Sequence, residues 1–184
     1  MAEIPRLNGI IKQLEAGKTA ITTFSPAEIG NGVSLAASGY DGVIFEMEHN
    51  PFETKGLRNT LQFMLNRGQI VSGGTLAPQV TPIVRIPPNG SEMNQFLAKQ
   101  VLDVGVYGVV WPHVSTADEA YNAVSASRYP RPTDRPYLEP RGQRGDGRPR
   151  GARRRGAERL RGGEGVEAVV LPARGHEQAA GRHP

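Results

Sequence analysis

Three short stretches carry side chains suited to moving protons and holding anions. Glu46-Met47-Glu48-His49 sets two carboxylates and an imidazole side by side, Arg85 closes an apolar run, and Trp111-Pro112-His113 closes another. Histidine changes charge near neutral pH, so it suits general acid and base work. Arginine offers a planar fork of fixed donors for carboxylate or enolate oxygens. Each residue also has a plainer reading when taken singly. His49 beside Asn50-Pro51 suits a helix start or a surface site, and Arg85 alone is an ordinary salt-bridge partner. Trp111 and His113 suit rim or core packing, with Trp111 also a candidate to line a substrate pocket, and Glu48 suits a structural role. The chain has no cysteine, which excludes disulfides, thiolate nucleophiles and Cys-type zinc sites.

The elements that hold these residues alternate between short apolar strands and amphipathic helices. Thr19 to Phe24 reads as a first strand, and Ser25-Pro26-Ala27-Glu28 supplies a helix start: cap, proline and capping-box glutamate. That helix is expected to run to about Ser38. Gly42 to Met47 is a second strand, and Asn50-Pro51-Phe52-Glu53 repeats the start signal ahead of Leu57, Leu61 and Leu65 at helical spacing. A Gly-rich insert, Gly68 to Gln79, leads to a third strand at Pro82 to Ile86. A helix is expected from near Ser91, with Phe96, Leu97, Val101 and Leu102 turned inward. Tyr107 to Trp111 is the fourth strand, and Thr116-Ala117-Asp118-Glu119 is a capping box for the helix that follows. This rhythm implies right-handed crossovers and a parallel sheet, with chemistry collected at the carboxyl edge of the strands. Phe24, Ser25, Glu46, Glu48, His49, Arg85, Trp111 and His113 all fall at that edge.

Length and charge bound the rest. At 184 residues the chain suits one domain and is short for an eight-unit α/β barrel of ~250 residues. No apolar run approaches the ~18 residues of a membrane span, and the first residues lack a signal-peptide layout, so a cytoplasmic location and no membrane are expected. Residues 1–146 hold 13 Lys and Arg against 14 Asp and Glu, whereas residues 147–184 hold 9 Arg against 4 Glu. The basic excess therefore belongs to the last segment. Residues 147–184 use nine residue types, lack Lys, Ser, Thr and every aromatic, and are expected to be a disordered Arg/Gly-rich tail. Such an arm can bind nucleic acid by neutralising phosphates. Its Arg, Gly, Ala and Pro are also the residues of GC-rich codons, so the abrupt switch points to translation out of frame. Arg128 to Gly147, rich in Pro and Arg, is expected to be a long loop near the active rim.

The motifs in order resemble one family. They are Ser38-Gly39-Tyr40-Asp41, Ile44-Phe45-Glu46-Met47-Glu48-His49-Asn50-Pro51, Pro82-Ile83-Val84-Arg85, Leu102-Asp103-Val104-Gly105, Pro112, Ala117-Asp118-Glu119-Ala120 and Arg128-Tyr129-Pro130. Over residues 5 to 146 the chain resembles the HpcH/HpaI aldolase/citrate lyase family, 4-hydroxy-2-oxoheptanedioate aldolase-like. The resemblance implies a metal-dependent, class II carbon–carbon lyase on a (β/α)8 TIM barrel, acting on 2-oxo acids through a pyruvate enolate with an aldehyde as the second product. It implies that His49 is the catalytic histidine and that Arg85 is catalytic and binds the oxo acid. It further implies that Glu46, where the family usually has a shorter Asp, orients His49. A divalent metal, Mg or Mn, and a homo-oligomer are implied as well. The family's metal-binding Glu and Asp follow the fifth and sixth strands, and residues 147–184 show no matching motif, so no metal ligand is assigned. Taken together, the expectation is an incomplete barrel of about four βα units over residues 1–146, followed by the basic tail at 147–184. This chain is expected to be inactive by itself. The competing expectation is a nucleic-acid-binding protein acting through the tail, with nucleic acid the less favoured partner.

Overall fold

The apolar runs become strands because β-branched residues pack well on a pleated surface. The computed structural model describes residues 6–130, 140–144 and 166–170. After helix α1 (Gly9–Glu15) come β1 (Thr22–Ser25), α2 (Ile29–Ala36), β2 (Gly42–Glu46), α3 (Thr54–Met64), α4 (Arg67–Gly73), β3 (Thr81–Arg85), α5 (Gln95–Asp103), β4 (Val109–Val114) and α6 (Ala117–Ser127). The four strands are parallel and lie in chain order. This is the arrangement that right-handed βαβ crossovers produce, and it corresponds to half of an eight-unit barrel.

Strand alternation divides the apolar residues into two sets. Val43, Phe45, Val84, Val109 and Trp111 face the helices, where Leu57, Ala98, Val101 and Ala123 meet them in the main core. Each such Val or Leu, removed from water, stabilises the fold by ~1.5–3 kcal/mol. Ile44, Ile83 and Val110 point to the opposite face, against Ile10 of α1. Helix α1, which the sequence did not signal, closes the amino-terminal edge of the sheet. The Asn8 side chain caps α1 and also donates to the Tyr107 carbonyl, while the Gly9 N–H donates to the Thr81 hydroxyl. Gly42 is needed here because a Cβ at that position would lie 2.5 Å from Ile10 Cδ1.

Two helix starts lie three residues later than the sequence indicates. Ser25 is the last residue of β1 and its hydroxyl donates to Pro26 O. The Asn50 side chain donates to Glu46 O and so ties its residue back to the end of β2. Glu28 and Glu53, expected inside the first turn, are instead the N-cap residues, and Glu53 accepts from the N–H groups of Lys55 and Gly56. The capping box of α6 is where the sequence places it: Glu119 N–H donates to Thr116 Oγ1 at 3.1 Å, and Thr116 N–H donates to Glu119 Oε2 at 3.0 Å. The Gly-rich insert contains α4, whose cap Asn66 accepts from Gln69 N–H. Helix α5 opens at Gln95, not Ser91, and Phe96 is exposed while Ala98, Val101 and Leu102 are buried. Ala98, Val101 and Leu102 are three and four residues apart and share one helical face, from which Phe96 turns away.

Two expectations for the end of the chain need correction. Val166–Val170 forms β5, paired antiparallel to β4, so the outer edge of β4 is covered and part of the 147–184 segment is ordered as a strand. An open strand edge takes up an available β-branched run, and Val166-Glu167-Ala168-Val169-Val170 is the one such run in that segment. The remaining tail residues lie outside the described set. Residues 140–144 do not sit at the carboxyl edge of the strands. The N–H groups of Gln143 and Arg144 donate to Ser125 O and Arg128 O at the far end of α6, and the Arg144 side chain pairs with Asp103 at the end of α5. Helices that return antiparallel to the strands end at the amino-terminal edge, so this segment lies opposite the rim. Residues 131–139, the middle of the same expected loop, are outside the described residues.

Candidate active site

Register brings Glu46 and Arg85 together. They are direct Cα partners across β2 and β3, and both follow the face that carries Ile44 and Ile83. The Glu46 carboxylate accepts from Arg85 Nη2 on one oxygen and from the N–H groups of Glu48, at 2.6 Å, and His49, at 3.2 Å, on the other. Burial alone pushes the Glu46 carboxyl up. The Arg85 hydrogen bond and those two backbone donors outweigh burial and hold the carboxyl below its ordinary value. Phe24, on the adjacent strand β1, lies under the guanidinium, whose carbon is 4.6 Å from the ring centroid.

Glu48 stands at the centre of the cluster. Its side chain is 4% exposed, with Oε2 3.0 Å from Arg85 Nε and 3.6 Å from His49 Nε2, and with Oε1 3.2 Å from His113 Nε2. Both imidazoles are largely exposed, so one buried carboxylate gathers a guanidinium and two solvent-facing rings at the carboxyl edge of β2, β3 and β4. Glu46 therefore meets His49 at its backbone N–H, and Glu48 is the carboxylate beside the His49 ring. The sequence carried a signal for this: Glu48 lies two residues beyond Glu46 and so continues the same face past the strand end.

Trp111 and His113 part company. Trp111 is fully buried among the residues that face the helices, so it does not line the rim beside Arg85 as a substrate-binding residue would. Alternation decides this, because Trp111 shares the face of Val109 while Arg85 pairs with Val110. Strict alternation would send His113 toward the helices too. Instead its backbone is left-handed, with φ of +57°, and the chain slips by one residue there. Trp111 and Val114, three apart, both enter the helix-facing core, and the pairing with β5 shifts register between them. The slip swings the His113 ring back toward Glu48.

Among the described residues no group of three or more His, Asp or Glu side chains is placed to hold a metal ion, and Arg85 occupies both Glu46 and Glu48. These residues do not fit a metal site. No helix among them is long and apolar enough to cross a membrane.

Four parallel βα units with an acid–base cluster at the carboxyl edge define a half-barrel of the enzyme-bearing kind. The HpcH/HpaI aldolase/citrate lyase family model matches residues 25–141, and the chain belongs to that family. It is 36% identical over 126 residues to the 2-keto-3-deoxy-L-rhamnonate aldolases of Escherichia coli and Shigella dysenteriae, covering 68% of this chain and 36% of each relative. Among solved structures it is similar to an HpcH/HpaI aldolase/citrate lyase family protein from Burkholderia cenocepacia, with a TM-score of 0.54 and 25% identity over 68% of this chain and 44% of that one. It shares its fold with the HpcH/HpaI aldolase from Desulfitobacterium hafniense, with a TM-score of 0.53 and 24% identity over 75% of this chain and 45% of that one. The chain thus spans little more than a third of the length of the curated relatives it matches.

Proposed function

We propose that this chain is the amino-terminal half of a carbon–carbon lyase that cleaves 4-hydroxy-2-oxo acids to a pyruvate enolate and an aldehyde in the cytoplasm. Turnover in this reading draws on a whole barrel, and the matched residues cover 36% of the curated relatives. The observation that carries this reading is the Glu48 carboxylate, which gathers Arg85, His49 and His113 on the rim where such folds place their chemistry. Arg85 holds the oxo-acid oxygens. The His49 ring, oriented by Glu48 and open to solvent, takes the proton from the substrate's 4-hydroxyl. The bond between the third and fourth carbons then breaks, its electron pair enters the enolate, and the aldehyde departs. The enolate carbon takes one proton to give pyruvate, which restores the balance. The divalent cation implied by the family finds no fitting ligand set among the described residues, and the remaining half is the place to seek one.

The test joins residues 1–146 to the remaining part of the Escherichia coli 2-keto-3-deoxy-L-rhamnonate aldolase and follows pyruvate release in a lactate dehydrogenase coupled assay. The fused chain is expected to turn over and the 184-residue chain is not, and His49→Ala should lower kcat of the fusion by ~10²–10⁴-fold. A folded fusion that is inert, or one indifferent to His49→Ala, sinks the proposal. The competing role, nucleic-acid binding through the Arg-rich residues 147–184, would show as binding that weakens steeply with salt and vanishes when those residues are removed.

A further inference from the structure

We propose that residues 89–94, between β3 and α5, form a two-position arm at the rim. In the form described above, buried amides hold it as a turn. In the second form α5 gains a turn at its amino end and the Asn89 side chain caps it.

The observed helix start and the free cap lie apart. Helix α5 opens behind Asn94, whose side chain makes no cap bond. Earlier in the same stretch, both polar atoms of the Asn89 amide are buried and have no hydrogen-bond partner. A buried polar group without a partner is costly, so a form that offers Asn89 one is favoured on that count. Asn89-Gly90-Ser91-Glu92 has the spacing of a capping box, with a preferred cap residue first and glutamate three residues on. Glu92 Oε1 already accepts from Gly90 N–H at 3.2 Å, and Met93 N–H donates to Gly90 O at 3.2 Å, so the turn is partly wound. What interrupts it is the backbone at Met93 and Asn94, with φ of +61° and +47°. Two successive left-handed residues, neither of them glycine, are uncommon and strained. Side-chain amides hold them there. Asn94 Nδ2 donates to Pro87 O at 2.8 Å and to Pro88 O at 2.6 Å, and Asn122 Nδ2, on α6, donates to Met93 O at 2.8 Å. Asn122 is in turn held by Gln95 Nε2 at 2.6 Å, and Asn94 and Asn122 are both 4% exposed. Extending the helix gives up the bonds to Pro87, Pro88 and Met93. In return, Met93 O receives Leu97 N–H, the N–H groups of residues 94–96 reach carbonyls four back, the strain is released and Asn89 is satisfied. Bonds are exchanged and neither form simply loses them, as a two-state element requires. The arm begins just beyond Arg85, so it is the movable part of the rim next to that residue.

The experiment uses the 184-residue chain and follows amide hydrogen exchange of residues 94–97, whose N–H groups gain partners in the extended helix. Asn89→Asp adds an anionic cap and leaves the amides that hold the turn untouched; it should slow this exchange by about fivefold. Asn94→Ala removes the clamp on Pro87 and Pro88 and disfavours the left-handed backbone, so it should slow exchange as well. Adding Asn89→Ala to Asn94→Ala should return exchange toward the native rate, because the longer helix then lacks its cap. Met93→Gly, which suits the left-handed form, should leave exchange as fast as in the native chain. Unchanged exchange in Asn89→Asp and Asn94→Ala overturns the proposal. So does faster exchange in both, which marks a turn that was only loosened, and so does a double variant as slow as Asn94→Ala alone. The amides of α6 are the folding control, and where Asn94→Ala loosens them Asn89→Asp decides by itself.

Discussion

Replacing Arg85 by methionine keeps an apolar stem and removes the charge that two buried carboxylates share. Glu46 and Glu48 side chains are 12% and 4% exposed and Arg85 is 16% exposed. Breaking a buried ion pair costs ~3–5 kcal/mol because the remaining charge is left without a partner, and the partial exposure of Glu46 places this case near ~3 kcal/mol at neutral pH. Acid should narrow the difference. In the native chain the Glu46 carboxyl is held below its ordinary 4.5, so its stabilisation is fully present above that pH and is lost as pH falls through the lower folded value. In Arg85→Met the largest counterweight to burial is gone, so the folded carboxyl should rise from its native position. The variant then carries a penalty at neutral pH that is relieved as pH falls. Urea unfolding followed through Trp111, the chain's single tryptophan and a core residue, reads both effects. The expected loss is ~3 kcal/mol near pH 7 and becomes smaller as pH falls below 4.5. A loss below ~1 kcal/mol near neutral pH, or one that does not change with pH, would refute the argument that Arg85 neutralises this pair.

Other perturbations test the scaffold. Thr116→Ala removes one arm of the α6 capping box and should cost ~1 kcal/mol in urea unfolding, with Thr116→Ser recovering most of it. Gly42→Val drives side-chain atoms into Ile10 and the Thr81 carbonyl and should cost ~1–3 kcal/mol, whereas Gly39→Ala, with nothing within 4 Å of the new Cβ, should stay within ~0.5 kcal/mol. Phe24→Leu removes the ring under Arg85 and should cost ~0.5–1 kcal/mol.

Much of this protein can be read from local order in the chain. The four strands, their parallel rhythm and the α6 capping box follow from periodicity and cap chemistry, which act over a few residues. So does the placement of Glu46, His49 and Arg85 at one edge, since each ends a strand or follows one. Local signals failed at two helix starts. Ser25 and Asn50 had the chemistry of helix caps, but Ser25 stays in β1 and the helices open three residues later, behind Glu28 and Glu53. The centre of the site was a tertiary matter. Glu48 meets Arg85 across two strands and His113 across three, contacts between residues tens of positions apart that no local pattern encodes. Trp111 and His113 sit two residues apart, and alternation should have kept them on one face. The left-handed turn at His113 separated them, placing the indole in the core and the imidazole on the rim. Sequence periodicity set which residues reach the edge of the sheet; strand register and one strained backbone angle decided which of them meet.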